Sequence, residues 1–320
     1  MITLTMRPLA IATETDLEAI AHLLNTCEEV DRLDEGSSVS ELRTEFDVPS
    51  LDKARDIRLW EDADGKLIGF GELGIPESGE VIDGWLWYRV HPSARGSSLE
   101  RQIVAWGEQR MREVGLERGV RVQLRCGVRD DKPYYITVAE SCGFRADRYF
   151  LTMERSLAEP IPEPQFPAGF TLRQASHQDA EAWMEMYNQT FIDHWNHHDI
   201  TVERVKYSLT TPNYKPELDL VAVAPDGTFA GFCYCAIHPE DNDRTGRKEG
   251  WIGILGTRRG FRKLGLARAM LLSGMQQLKA AGMDTAKLGV DTQNPNNASH
   301  LYESVGFRKL YSSMSYVKDV

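Results

Sequence analysis

The chain has 320 residues, and its 37 Lys and Arg against 48 Asp and Glu give a formal net charge of −11. Hydrophobic residues make up 42% and charged residues 27%, which is typical of a globular protein and excludes a disordered or fibrous chain. The acidic balance argues against a nucleic-acid-binding protein, because a polyanionic partner needs clustered Lys and Arg. No apolar run is long enough to span a bilayer and the first residues lack a signal-peptide core, so we expect a cytoplasmic protein with no membrane partner.

A proline-rich run divides the sequence near its middle. Residues 158–167 carry four prolines, at positions 160, 162, 164 and 167. Such a run cannot continue a helix or a central strand and is typical of a semi-rigid linker. The sequence therefore predicts a domain over 1–157, a linker over 158–169 and a second domain over 170–320.

Three segments of the first half recur in the second. Residues 64–70 match residues 226–232, and both are typical of an Asp-Gly hairpin turn that leads into an apolar strand. Residues 90–96 parallel 256–262, and Ser141–Arg145 parallels Ser304–Arg308. The offsets drift only between about 162 and 167, as changes in loop length would produce. We interpret the halves as two copies of one fold.

The elements are clearest in the second copy, where apolar residues recur at helical spacing over 266–280. In chain order the pattern predicts a strand over 171–174, a helix from about 179, a hairpin over 218–236, a strand over 250–255, a helix over 266–280, a strand over 286–290, a helix over 298–305 and a strand over 309–317. This order predicts an α/β fold with a mixed, mostly antiparallel sheet flanked by helices.

A basic loop joins the strand at 250–255 to the helix at 266–280. The start of a helix presents free backbone N–H groups and partial positive charge, which suit a phosphate. Gly265 would let the backbone approach phosphate oxygens, and Ala267 keeps the next turn small. The loop carries five basic residues: Arg258, Arg259, Arg262, Lys263 and Arg268. It matches neither the P-loop nor the dinucleotide motif, and a solvated loop before an ordinary helix is the alternative.

Arg262-x-x-Gly265-x-Ala267 after a strand resembles the pyrophosphate signature of the GNAT superfamily of acyl-CoA-dependent N-acetyltransferases. Residues 294–307 resemble its N…A-x-x-L-Y-x-x-x-G-F segment, and 226–232 resemble its central hairpin. The resemblance covers most of 170–320 and, more weakly, 1–155. The chain therefore looks like two tandem GNAT domains.

The resemblance implies that acetyl-CoA is the co-substrate, that no metal is needed, and that two strands separate to admit the coenzyme. Asn294 and Tyr302 would approach the thioester end. The pantetheine arm would pair with the backbone of Leu255, Gly256 and Thr257, and the pyrophosphate would contact the amides of Arg262, Lys263, Leu264, Gly265, Leu266 and Ala267, with Arg268 close by.

Direct acyl transfer removes a proton from the amine and returns one to the departing thiolate. By resemblance, Tyr302 is the general acid and Glu249 the general base acting through water. Glu249 precedes Arg262 by 13 residues, as in the family's histone acetyltransferases. Partial burial would raise the pKa of this carboxyl towards neutrality. The alternatives are a tyrosine packed against the sheet and a surface glutamate.

The repeat offsets show which copy carries the candidate catalytic and coenzyme-binding residues. An offset of 163 places Ala139 opposite Tyr302, and one of 167 places Ile82 opposite Glu249. The same offset places Ser98 and Glu100 opposite Gly265 and Ala267, and a glutamate there would repel a pyrophosphate. We therefore expect a degenerate first domain and a catalytic second domain.

The acceptor side is predicted from the segment between the first strand and the hairpin. Asp193 would attract a cationic amine, and His194 and Trp195 would complete the wall. His194 and His198 would share a helix face, but a third ligand at fixed spacing is absent, so no metal is expected. We predict a small-molecule amine acceptor for a monomer or homodimer. The alternatives are a non-catalytic acyl-CoA-binding or regulatory module and an enzyme that acetylates a protein lysine or N-terminus.

Overall fold

A computed structural model describes residues 4–34, 36–48, 51–195, 197–211, 213–294 and 296–320. The helices and strands of these ranges are, in chain order, β1 (Thr5–Pro8), α1 (Glu14–Asp31), α2 (Val39–Phe46), α3 (Lys53–Asp56), β2 (Ile57–Glu61), β3 (Leu67–Gly74), β4 (Val81–Val90), α4 (Leu99–Arg118), β5 (Arg121–Arg129), α5 (Pro133–Ser141), β6 (Arg145–Ser156), β7 (Thr171–Gln174), α6 (Ala180–Phe191), α7 (Val202–Ser208), β8 (Asp219–Val223), β9 (Phe229–Ala236), α8 (Pro239–Thr245), β10 (Glu249–Thr257), α9 (Leu266–Ala280), β11 (Thr285–Asp291), α10 (Ala298–Ser304) and β12 (Arg308–Asp319). None of these helices is both long and apolar enough to cross a bilayer.

The chain forms two compact units, one of residues 1–148 with 313–320 and one of residues 149–312. The strand order is β1-β2-β3-β4-β5-β12 in the first unit and β6-β11-β10-β9-β8-β7 in the second. Neighbouring strands are antiparallel except for β4 with β5 and β10 with β11, which are parallel. The predicted fold class, a mixed and mostly antiparallel sheet flanked by helices, is confirmed.

The units differ from the boundaries expected at 157 and 170, because the last strands of the two repeats are exchanged. Residues 150–156 of β6 pair with β11 and close the second sheet, whereas residues 313–319 of β12 pair with β5 and close the first. The closing strand expected over 309–317 therefore exists, but most of it completes the sheet of the first repeat. A cut within 158–169 would remove β6 from the second unit.

The proline-rich segment has neither helix nor strand between residues 157 and 170. It is nevertheless fixed to the second unit. Ile161, Phe166 and Phe170 pack against the core of that unit, and Arg155 donates a hydrogen bond of 2.8 Å to the carbonyl oxygen of Pro160. The segment is thus a packed strap rather than a free spacer.

The two faces of the second sheet carry different layers. On one face α9 buries its apolar stripe, and a Cβ added at Gly274 would lie 2.5 Å from the Cys233 sulfur of β9. On the other face α6 and α7 cover β8 and β9 through residues such as Trp183 and Phe232. Side chains alternate along each strand, so the register decides which residues face which layer.

The first unit holds a buried carboxyl group. Glu72 lies on β3, and its Oε2 atom is buried without a hydrogen-bond partner among the residues described. Burial, helped by the nearby carboxylates of Glu45 and Asp56, raises the pKa of Glu72 to about 8. In the unfolded chain a glutamate titrates near about 4.3, so the folded state binds this proton more tightly.

We therefore expect the stability contributed by protonated Glu72 to be lost as the pH rises through about 8. Glu72→Gln should raise the free energy of unfolding by about 1–3 kcal/mol on the alkaline side of that pH, and by much less near about pH 5. Urea unfolding at both pH values measures this. Glu80→Gln, at an exposed position, is the control. Equal effects of Glu72→Gln at both pH values would contradict the assignment.

Candidate active site

The two parallel strands of the second unit separate part-way along their length. The pairing of β10 with β11 joins Glu249–Ile252 to Thr285–Leu288, while β10 stays paired with β9 as far as Thr257. A bulge between Ile252 and Ile254 marks the point of separation. The N–H of Arg258 bonds the carbonyl of Ala230 on β9, so strand alternation turns the backbone of Leu255 and Thr257 away from β9, towards the opening.

A cradle of backbone amides lies at the end of this opening. Residues 259–261 form a single 3₁₀ turn, and Lys263 and Gly265 then adopt positive φ angles of 64° and 87°. The helix α9 starts at Leu266 with no side-chain cap and no acidic residue in its first turn. Its first N–H groups are therefore available to an anion, as the sequence predicts.

Two hydroxyl groups near the end of β10 lack partners. Oγ1 of Thr190 and Oγ1 of Thr257 are both buried without a hydrogen bond in the described part of the chain. They lie on opposite faces of β10, because a Cβ added at Gly256 would lie 2.4 Å from Cγ2 of Thr190 and the next side chain, that of Thr257, points to the other face. Buried polar atoms are normally satisfied, so both hydroxyls are unusual.

The basic loop is largely committed to other contacts. Arg262 bonds the carbonyl oxygens of Thr190 at 2.9 Å and Thr257 at 3.3 Å, and Arg258 pairs with Glu185 at 2.7 Å. Arg268 donates to the Ser304 hydroxyl at 2.8 Å. Lys263 is the exposed cation whose side chain has no partner among the described residues. Phosphates would thus meet the amides and Lys263 rather than five free cations.

Asp193 binds two arginines of the basic loop, so its carboxylate is not left free to bind an amine. Its carboxylate accepts hydrogen bonds from Arg259 at 3.1 Å and from Arg262 at 3.0 Å, and these two guanidiniums lower its pKa. The first unit repeats the arrangement, because Arg95 binds the carboxylate of Asp31 through two hydrogen bonds of 2.8 and 2.5 Å. The expectation that Asp193 attracts the acceptor therefore gives way to a structural role.

The expectation that His194 and His198 share a helix face is wrong. The helix α6 ends at Phe191, and residues 192–195 and 197–200 carry no helix. His194 uses Nδ1 to bond the carbonyl of Trp195 at 2.9 Å. The Trp195 ring lies 6.0 Å from that of Phe150 on β6, so Trp195 does border the face of the sheet opposite α9.

Tyr302 lies in the core of the second unit with 8% of its surface exposed. Burial, with a smaller effect of the Cys233 thiol, raises the pKa of Tyr302 to about 12. Its hydroxyl makes no hydrogen bond within the described ranges, and its ring packs 6.1 Å from that of Phe307. A tyrosine held protonated in this way can donate a proton at neutral pH.

Asn294 shapes the turn before α10. Its Oδ1 atom accepts a hydrogen bond of 2.8 Å from the backbone of Asn296, and its carbonyl accepts one from Asn297. This turn precedes the helix that carries Tyr302. The structure thus gives Asn294 a local contact besides the thioester contact implied by resemblance.

Glu249 lies at the start of β10 on the face opposite α9, since its neighbour Gly250 contacts Leu278 of α9. Its Oε2 atom is 2.7 Å from Nζ of Lys287 and 3.5 Å from Nε of Arg247. The Glu249 side chain is 14% exposed. Its side chain is partly buried and forms one half of an ion pair with Lys287, a partner that the sequence does not predict.

The same face stays open beside Glu249. Gly289 on β11 is exposed, and a Cβ added there would contact nothing within 4 Å. Register places Gly289 beside Thr152 of β6 and next to Lys287 along β11. The open face, defined by Glu249, Trp251, Gly289 and Phe150, borders the separation of β10 and β11 and has room for a small acceptor.

The register of the first unit corrects the match between the repeats. Trp85 pairs with Arg125 just as Trp251 pairs with Lys287, so Glu249 corresponds to Asp83 and not to Ile82. The offset is 166 before the bulge and 167 after it, because β4 pairs with β3 without the bulge that β10 has. The match of Tyr302 to Ala139 stands, since each carbonyl accepts from the phenylalanine five residues later.

The first unit keeps the shape of the cradle but fills it with its own side chain. Gly96 and Ser98 have positive φ angles of 73° and 77°, like Lys263 and Gly265. Glu100, only 4% exposed, accepts a hydrogen bond of 3.2 Å from the Gly96 amide and another from the Tyr134 hydroxyl. A carboxylate thus occupies one of the amides that a phosphate would need.

Comparison with known proteins agrees with this geometry. The model of the acetyltransferase (GNAT) family matches residues 180–307. A mycothiol acetyltransferase of Thermobispora bispora is 30% identical over 316 residues, 98% of this chain and 99% of that protein. A second mycothiol acetyltransferase, from Frankia casuarinae, is 28% identical over 269 residues, 80% of this chain and 71% of the relative. The chain belongs to the GNAT acetyltransferase family.

Solved structures show the same fold. A GCN5-related N-acetyltransferase from Sphaerobacter thermophilus aligns with a TM-score of 0.75 at 24% identity, covering 99% of this chain and 95% of that one. A tandem GNAT protein from the clavulanic acid biosynthesis pathway aligns with a TM-score of 0.72 at 16% identity, covering 99% and 98%. The chain is a tandem GNAT acetyltransferase, and the GNAT fold uses an acyl-CoA co-substrate.

Sequence reasoning missed Lys287, the bulge and the part played by β6. One signal was present, because Asp83-Gly84-Trp85 and Glu249-Gly250-Trp251 align at an offset of 166. The extra residue of β10 follows from comparing this offset with the 167 of Arg95 and Arg262. The contacts of Lys287 depend on pairing between distant strands, which no local pattern shows.

Proposed function

We propose that the second unit transfers an acetyl group from acetyl-CoA directly to a primary amine of a small molecule. The observation that carries this proposal is the opening between β10 and β11. It has the uncapped amides of α9 at one end, Tyr302 in the adjoining core, and Glu249 on the open face beside it. The first unit lacks the bulge and fills its cradle with Glu100, which supports a structural role for that unit.

In the proposed reaction each group has one task. The amides at Lys263 to Ala267 and the hydroxyl of Thr257 hold the phosphates and pantetheine of acetyl-CoA. Glu249 accepts, through water, the proton that the attacking amine loses. Tyr302 gives its hydroxyl proton to the sulfur of coenzyme A as the carbon–sulfur bond breaks.

The acceptor is proposed from the relatives. Two relatives that cover most of this chain are named mycothiol acetyltransferases. We propose that the acceptor is the deacetylated form of mycothiol or an amine of that size, and that it binds on the open face near Trp195 and Trp251. The open space at Gly289, where an added Cβ would contact nothing within 4 Å, supports this position for the acceptor.

A panel of amines tests this function. Thiol release from acetyl-CoA is followed with deacetylated mycothiol, with simple amines and with lysine and N-terminal peptides. We expect release with the small amines, and loss of that release in Glu249→Gln. If only the peptides support thiol release, the acceptor is a protein amine and not a small molecule. If the chain binds acetyl-CoA but releases no thiol with any amine, it is a non-catalytic module.

A further inference from the structure

A buried ion pair joins β10 to β11 at the edge of the site. Lys287 is only 2% exposed, and its Nζ atom lies 2.7 Å from Oε2 of Glu249 and 5.8 Å from the centroid of the Trp251 ring. Removing one partner of such a pair leaves an uncompensated buried charge, which is strongly destabilising. The two side chains therefore hold each other in place.

The first unit has the corresponding pair. Oδ2 of Asp83 lies 2.9 Å from Nε of Arg125, whose guanidinium also contacts Asp147 at 2.6 Å. In the second unit the carboxylate is one methylene longer, and the cation is an ammonium, a compact point charge. The pair is thus common to both repeats, but only in the second does its carboxylate lie beside a bulged strand with an unfilled cradle.

Other charged groups face this pair as well. Nε of Arg247, in the segment between α8 and β10, is 3.5 Å from Oε2 of Glu249, farther than the Lys287 ammonium. Glu154 of β6 is paired in register with Lys287. Asn242 of α8 bonds the backbone of Glu249 at 2.9 and 3.1 Å and leaves its carboxylate to the two cations.

We propose that Lys287 is a positioning residue for the acetyl transfer, whose ammonium fixes the carboxylate of Glu249 against β11, where it can accept the proton of the amine. The inference rests on the proposed role of Glu249 as general base. Without the ammonium, the carboxylate has only the more distant Arg247 guanidinium to hold it and can leave the orientation that transfer needs.

Steady-state kinetics of the full chain at one pH test this inference. In Lys287→Met kcat should fall about tenfold or more, because a base that is held in the wrong place transfers protons poorly. The KM for acetyl-CoA should change little, because Lys287 lies away from the cradle. Lys287→Arg, which keeps the charge and copies the first unit, should restore most of kcat.

The matched control is Arg125→Met, which breaks the equivalent pair of the first unit and should leave kcat unchanged. Lys287→Gln replaces Lys287→Met in the same assay if the methionine variant does not fold. Wild-type kcat in the folded, uncharged variant would overturn the inference. Glu249→Gln separates this failure from that of the proposed function. Full activity in Glu249→Gln removes Glu249 as base, whereas inactivity there with wild-type kcat in Lys287→Met removes the role of Lys287 alone.

Discussion

Gly265→Glu should lower the affinity for acetyl-CoA by about 100-fold or more, equivalent to about 3 kcal/mol. The reason is electrostatic, since a carboxylate at this position competes for the first amides of α9 and repels phosphate oxygens. The first unit shows a carboxylate with this effect at the position that corresponds to Ala267, because Glu100 accepts a hydrogen bond from the Gly96 amide. Titration calorimetry measures the affinity and should give one acetyl-CoA per wild-type chain.

Two variants separate charge from backbone strain. Gly265 has a φ of 87°, and a side chain in this region costs about 1–2 kcal/mol, so Gly265→Ala controls for the strain alone and should bind far better than Gly265→Glu. Ser98→Glu places the same charge in the first unit and should not change affinity. Unchanged affinity in Gly265→Glu, or two acetyl-CoA molecules per wild-type chain, would contradict the assignment of the cradle.

Tyr302→Phe should lower kcat about 100-fold while leaving the KM for acetyl-CoA nearly unchanged. The variant removes one oxygen atom, which makes no hydrogen bond among the described residues, so the core should stay packed. With a pKa of about 12, Tyr302 remains protonated well above neutral pH. The loss should therefore be nearly constant between pH 6 and 9, as steady-state assays across about that range would show.

Tyr149→Phe removes a hydroxyl from an exposed residue of β6 and should leave kcat unaffected. Thermal unfolding of both variants shows that the fold is retained. Wild-type kcat in Tyr302→Phe would remove Tyr302 as the general acid and leave it as a core residue. A rise in KM alone would assign it to acetyl-CoA binding instead.

The parts of the fold that follow from local pattern were predictable. The helix at Leu266–Ala280 and the strand at Thr171–Gln174 match their predicted limits, because apolar spacing and capping act within a few residues. The exchange of β6 and β12 was not predictable. Which strand closes a sheet depends on pairing between residues at least 129 positions apart, and both repeats offer a suitable strand.

Some features of the candidate site could likewise be predicted from the sequence, and others could not. The importance of Gly265 follows from a motif and its place before a helix, and in the structure that glycine has a positive φ of 87°. The partners of Asp193 and Glu249 do not follow, because each carboxylate meets a cation from another element: Arg262 for the first and Lys287 for the second. The sequence shows which residues are charged, whereas the partner of each charge depends on the tertiary structure.

The mass of the acceptor after reaction shows whether the chain transfers an acetyl group to an amine. Wild-type chain is incubated with acetyl-CoA and deacetylated mycothiol, with Glu249→Gln in parallel, and the masses of the small-molecule products are measured by mass spectrometry. We expect the wild-type reaction to add one acetyl group to the amine as coenzyme A is released, and the variant to form far less product. Release of coenzyme A with no acetylated amine, or equal product in both reactions, would contradict the proposed function.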